Sequence, residues 1–141
     1  MSKPTIQLAP ERHVQVKAIA AALGLSIAET MARFINNEIS AGTIPPGIDG
    51  VKVHKHDDGL LIGFDDETPV HFSNEGAADL AATLLEFADE KKRAQKVANM
   101  RHNYMIERKG NGVKLTVPMS GSITKSWSRD IARDVADLVA A

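Results

Sequence analysis

The residues best suited to chemistry in this chain are histidines and carboxylates, and they gather once. His54 and His56 stand two apart in "VKVHKH", with Asp57, Asp58 and His71 nearby in sequence. On a strand, residues two apart share a face, so two imidazoles and a carboxylate have the ligand types of a divalent-metal site. A second segment repeats the surrounding pattern, as argued below, and carries Glu107 and Lys109 at the matching positions. A set that changes from imidazole to ammonium reads as a solvated strand face, and no metal or other cofactor is expected. Asp65 and Asp66 are paired carboxylates, but they fall where a turn is expected, and turns favour acidic residues. The chain has no Gly-x-Ser-x-Gly elbow, phosphate loop or His-Glu-x-x-His motif. It also has no cysteine, which removes disulfides and thiolate chemistry. The residue types argue for a binding protein rather than an enzyme.

Charge narrows the kind of binding. The 141 residues carry a formal net charge of −1, which is not that of a strongly basic nucleic-acid binder. The distribution is uneven. Residues 1–45 hold four basic and three acidic side chains, 46–88 hold two and nine, 89–109 seven and three, and 110–141 four and three. The acidic block reads as solvated surface that can keep the middle of the chain off DNA. No apolar stretch approaches the roughly 18 residues of a membrane span, and residues 1–10 lack the apolar core of a signal peptide. A cytoplasmic protein without membrane contact is expected.

The elements that position these residues begin with "KPTIQLAPE". Ile6 and Leu8 alternate with Thr5 and Gln7, a strand pattern stopped by Pro10. Val16, Ile19, Ala20 and Leu23 then recur at helical spacing. Gly24 suits the left-handed position after a helix. Ser26 and Glu29 form a Ser-x-x-Glu capping box for a second helix, whose apolar face is Ile27, Met31, Phe34, Ile35 and Ile39. One strand cannot satisfy its own backbone groups, so the simplest partner is the same strand of a second copy.

This strand, helix and helix, with the segments "TIQL", "VKAIAAALGLS" and "IAETMARFINNEI", resembles the ribbon-helix-helix family, which includes the Arc and methionine repressors. The resemblance covers about 40 residues and implies a homodimer that binds double-stranded DNA. By position, it places Lys3, Thr5 and Gln7 in the major groove. It also places a phosphate on the backbone amides of Ser26, Ile27 and Ala28. The physics agrees: a two-stranded ribbon fits that groove, glutamine can pair with adenine, and a helix N-terminus favours an anion. The strand departs from the family in having no arginine, and the module is barely basic, so the salt-dependent part of affinity is expected to be small.

Residues 43–50, "TIPPGIDG", read as a linker between a module over 1–42 and a domain over 51–141. In the latter, one pattern appears twice. "VKVHKHDDGLLIGFDDETPVHFSNEGAADLAATLLEFA" and "YMIERKGNGVKLTVPMSGSITKSWSRDIARDVADLVAA" each read as strand, tight turn, strand, looser turn, short strand and capped helix. Phe72 aligns with Trp127, Ser73 with Ser128 and Asp79 with Asp134; the two aromatics read as plugs between helix and sheet. The fold class expected is α+β, with a ribbon-helix-helix module followed by a duplicated βββα unit. Copy one covers 51–88 and copy two 103–141. Residues 89–102 read as the end of one long helix from about Glu75 to Arg101. Its basic residues Lys91, Lys92, Arg93 and Lys96 are candidates for phosphate or acidic-partner contacts.

The function expected is a dimeric, sequence-specific DNA-binding transcriptional regulator of the repressor type, with a C-terminal effector or oligomerisation domain. The alternative is a non-catalytic protein-binding or inhibitor protein that uses the N-terminal module only to dimerise.

Overall fold

In a computed structural model of the chain, residues 4–89 and 95–140 are described. The chain forms two compact units, Met1–Pro45 and Pro46–Ala141. The fold is mixed α+β, with helices in both units and two antiparallel sheets in the second.

In the first unit, α1 spans Pro10–Leu23 and α2 spans Ile27–Ser40. Pro10 opens α1, where its missing N–H costs nothing. Gly24 ends it at φ 68°, and the Leu25 amide reaches back to the Ala20 carbonyl at 3.0 Å. Ser26 and Glu29 form the reciprocal capping box of α2, each side chain accepting from the other's backbone amide at 3.1 Å. The two helices meet at 92° across this break. Residues 4–9 are described without strand structure, so the chain opens on an irregular arm and two helices. That corrects the expected N-terminal strand. A strand exists only as part of a ladder, and none of the described residues of the first unit pairs with this arm.

The second unit contains β1 (Val51–His56), β2 (Gly59–Phe64), β3 (Val70–Ser73) and α3 (Asn74–Ala88). It continues with β4 (Lys96–Asn99), β5 (Tyr104–Lys109), β6 (Gly112–Val117), β7 (Ile123–Ser128) and α4 (Arg129–Ala140). The sheet orders are β1-β2-β3 and β4-β5-β6-β7, antiparallel throughout. Period-two alternation sends Leu60, Ile62 and Phe64 of β2 and Val113, Leu115 and Val117 of β6 into one core. Leu80, Leu84 and Phe87 of α3 and Val135 and Val139 of α4 complete it.

Gly59 and Gly112 open β2 and β6 for the same reason. Each faces the serine that precedes a helix, Ser73 or Ser128. A Cβ at Gly59 would run into the Phe72 carbonyl oxygen, and one at Gly112 would lie 2.6 Å from that of Trp127.

The long helix expected from Glu75 to Arg101 does not form, which corrects the connecting helix over 89–102. α3 ends at Ala88, and Lys96–Asn99 is an edge strand paired with β5. Tertiary contacts decide this. The Arg108 guanidinium donates to the Phe87 carbonyl at 2.9 Å and the Asp89 carbonyl at 3.2 Å, satisfying groups that a further turn would have used. Val97 faces Ile106 across β4–β5 and packs on the core.

Candidate functional site

The candidate nucleic-acid surface belongs to the first unit. Thr5 and Gln7 are exposed on the N-terminal arm, together with Ile6 and Leu8. Lys3 lies outside the described residues. At the start of α2, Ser26, Ile27 and Ala28 are all exposed. The Ser26 amide is already held by the Glu29 carboxylate at 3.1 Å, which places a negative charge where the resemblance implies a phosphate. The Ile27 and Ala28 amides are the ones beyond that carboxylate's bond.

The burial of this unit is unusual. Its buried residues among those described are Ala20 and Thr30. The Thr30 hydroxyl donates to the Ser26 carbonyl at 2.8 Å, so even its buried polar group serves the local turn. Ile6 is 86% exposed and Ile35 50%, and Leu8, Ile19, Leu23 and Ile27 are exposed as well. These side chains include Ile19 and Leu23 of the α1 stripe and Ile27 and Ile35 of the α2 face, whereas Val16, Met31, Phe34 and Ile39 are half-buried and Ala20 is buried.

Of the basic residues placed on the expected connecting helix, Lys91, Lys92 and Arg93 lie outside the described residues. Lys96 begins β4, where it stands opposite Glu107. Glu107 in turn lies 3.5 Å from Lys114 on β6. Lys96 is thus part of an alternating Lys-Glu-Lys row across a sheet, not of a basic helix face.

The histidines share a face as expected. Register places His54 beside Leu61 and Leu61 beside His71, with Lys52 and His56 on the same side of β1. Among the described residues, no group of three or more histidines and carboxylates is placed to hold a metal ion. The acidic side chains of residues 46–88 do not form one surface. Asp57 and Asp58 occupy the β1–β2 turn, and Asp65, Asp66 and Glu67 the β2–β3 connection. Asp65 is structural: its carboxylate pairs with the Lys125 ammonium at 2.8 Å, tying that connection to β7.

One polar cluster was not anticipated. Tyr104 is fully buried, and its hydroxyl donates to the Asp79 carboxylate at 2.7 Å. The Thr83 hydroxyl lies 2.9 Å from the Tyr104 hydroxyl oxygen, and the Asn99 amide also donates to Asp79. The Asn99 side-chain oxygen accepts from the His102 amide at 2.8 Å, closing the β4–β5 turn. Burial, with the Asp79 carboxylate adding to it and the Thr83 contact opposing it, pushes the Tyr104 hydroxyl up to about 12. A tyrosine held neutral this firmly is a poor acid or base at ordinary pH. The cluster locks β4 and β5 onto α3 and leaves no donor free for a substrate. A signal for it exists in the sequence: Asp79 and Thr83 stand four apart beside the apolar face of α3, a polar pair that needs a partner.

The chain matches no protein-family model, no curated protein and no solved structure. No single helix among the described residues is long and apolar enough to cross a membrane.

Proposed function

We propose that this chain is a dimeric, sequence-specific DNA-binding transcriptional regulator whose first unit is a ribbon-helix-helix module. The observation that carries the reading is the unburied apolar set Ile6, Leu8, Ile19, Leu23, Ile27 and Ile35. A unit of this size with so little core does not hold two helices by its own burial. A second copy offers the same faces, and a two-fold arrangement closes both at once. In that dimer, the two arms pair as an antiparallel ribbon. Ile6 and Leu8 turn to the four helices, and Thr5 and Gln7 turn out to the major groove. By sequence spacing, Lys3 alternates in step with Thr5 and Gln7. The capping box restricts any phosphate contact at α2 to the Ile27 and Ala28 amides.

The C-terminal unit, two meander-and-helix segments read as a duplication, is the effector or oligomerisation domain.

Selection of the purified chain against random duplex DNA at about 150 mM salt, where weak non-specific contacts are suppressed, tests the reading. Enrichment of a short inverted or tandem motif, lost in Gln7→Ala and Thr5→Ala, supports it. A confirmed dimer that enriches nothing, or enriches a motif insensitive to both changes, overturns groove reading. The module would then be a dimerisation device for a protein-binding chain.

A further inference from the structure

The second unit has a cleft that neither the core nor the polar cluster uses. It lies between the end of the β1–β2 hairpin, the outer side of α3 and the last turn of α4, with a volume of about 390 Å³. That is within the roughly 300–1,000 Å³ of small-molecule sites. Its walls are apolar: Leu60, Ala78, Ala82, Leu85 and Val139. The cleft is open because α3 places alanines where larger side chains would fill the space. Leu85 borders the gap and remains 42% exposed.

Among the described residues, the charged side chain lining it is that of Lys55. Lys55 stands at the hairpin end beside His56, and among the described residues no carboxylate side chain lines the cleft. Lys55 continues the inner series of β1 after Val51 and Val53, so its ammonium lies on the helix side of the sheet. Asp57 and Asp58 follow in the turn but do not line the cleft. Asn74 also borders it. Its amide donates to the Asp57 carbonyl at 2.9 Å, which leaves its side-chain oxygen as an acceptor.

We infer that this cleft binds a small aliphatic carboxylate, its acid group at Lys55 and its chain along the alanines of α3. An alkyl chain fits a shallow apolar trough without asking for hydrogen bonds that the walls cannot make. An anionic end matches the cationic end, and a cationic ligand is repelled there. The inference stands on the cleft alone and holds or fails whether or not the first unit reads DNA.

The test is calorimetric titration of the full chain, without DNA, using decanoate below its micelle concentration. Decanol and decyltrimethylammonium serve as uncharged and cationic controls. Saturable one-to-one binding of decanoate is expected. Ala78→Trp, at an exposed helix position, fills the cleft and abolishes binding with the circular dichroism unchanged. Lys55→Glu weakens decanoate by about tenfold while changing decanol little. Absence of saturable binding overturns the inference, as does equal binding of the cationic analogue or indifference to both variants. Retention on phosphatidylglycerol vesicles that Ala78→Trp abolishes, without binding of free decanoate, also overturns it and makes the cleft a membrane contact.

Discussion

In the C-terminal unit, apolar side chains from both sheets and both helices converge until Leu80, Leu84, Phe87, Ile106 and Val113 have no exposure at all. In the N-terminal unit, α2 carries an apolar face at helical spacing, yet Ala20 of α1 is the buried apolar residue among those described. The difference lies in the number of surfaces that can close on each stripe. α3 and α4 each meet a sheet and each other. Within the first unit, α1 and α2 meet one another, at 92°. Regular amphipathic spacing therefore means something different in each place: a finished core in one, and a surface awaiting a second copy in the other.

The largest expected effect belongs to the finished core. Phe87→Ala removes a fully buried ring that also lies under the Arg108 guanidinium at 5.2 Å. It should cost about 3–5 kcal/mol, read from urea unfolding followed by Trp127 fluorescence. Since Trp127 belongs to the second unit, its transition should be independent of protein concentration.

Ile35→Asp acts on the unfinished surface. On the reading proposed here, it converts the dimer to a monomer in sedimentation and leaves the Trp127 transition in place. A wild-type chain that sediments as a monomer at tens of micromolar would break the comparison outright.

Gly112→Ala should cost about 1–3 kcal/mol, because the Trp127 carbonyl must move away from the new methyl group. A calorimetric scan of that variant should show the loss in the C-terminal transition only.

Tyr104→Phe should cost about 1–2 kcal/mol at neutral pH, through the partners left without its hydroxyl. It also carries a pH signature. The tyrosine ionises near 10 when unfolded and near 12 when folded, so its contribution is complete below pH 10 and is lost between pH 10 and 12. Wild-type stability should therefore fall across that window by an increment that the phenylalanine variant lacks.

The smallest effect is Ser26→Ala, about 1 kcal/mol from the lost cap. It should reduce helical ellipticity in the dilute, dissociated chain more than in the concentrated one. Equal loss at both concentrations would mean that α2 is held within its own unit.

Legibility in the sequence followed the range of the deciding interaction. Pro10, Gly24 and the Ser26–Glu29 box act within one helical turn, and each sits where its residue type and spacing placed it. Both tight turns and both meanders could be read in the same way, from glycine positions and period-two alternation. The end of α3 could not. Asp89 to Arg101 has the composition of a helix, but two arginines from elsewhere reach its last carbonyls. Arg108 lies 21 positions from Phe87, and Arg133 lies 45 positions from Ala88 at 3.5 Å. The Tyr104 cluster was missed for the same reason, since Asp79 and Tyr104 are 25 positions apart. At the candidate site, Thr5 and Gln7 are exposed, but so are Ile6 and Leu8, so exposure does not separate the two sides of the alternation. Lys96 was assigned to a helix because no local feature marks the strand that holds it.

The sequence by itself determined where α1 and α2 begin, where α1 stops, how the strands alternate, and which serines and glycines sit at the joints. All of these are decided within about four residues along the chain. Only the tertiary structure decided that α3 stops at Ala88, that β4 joins the second sheet, and that alanines on α3 leave a cleft. Each of those depends on which distant groups satisfy a carbonyl, cover an apolar edge or fail to fill a space, and such pairings leave no periodicity in the sequence.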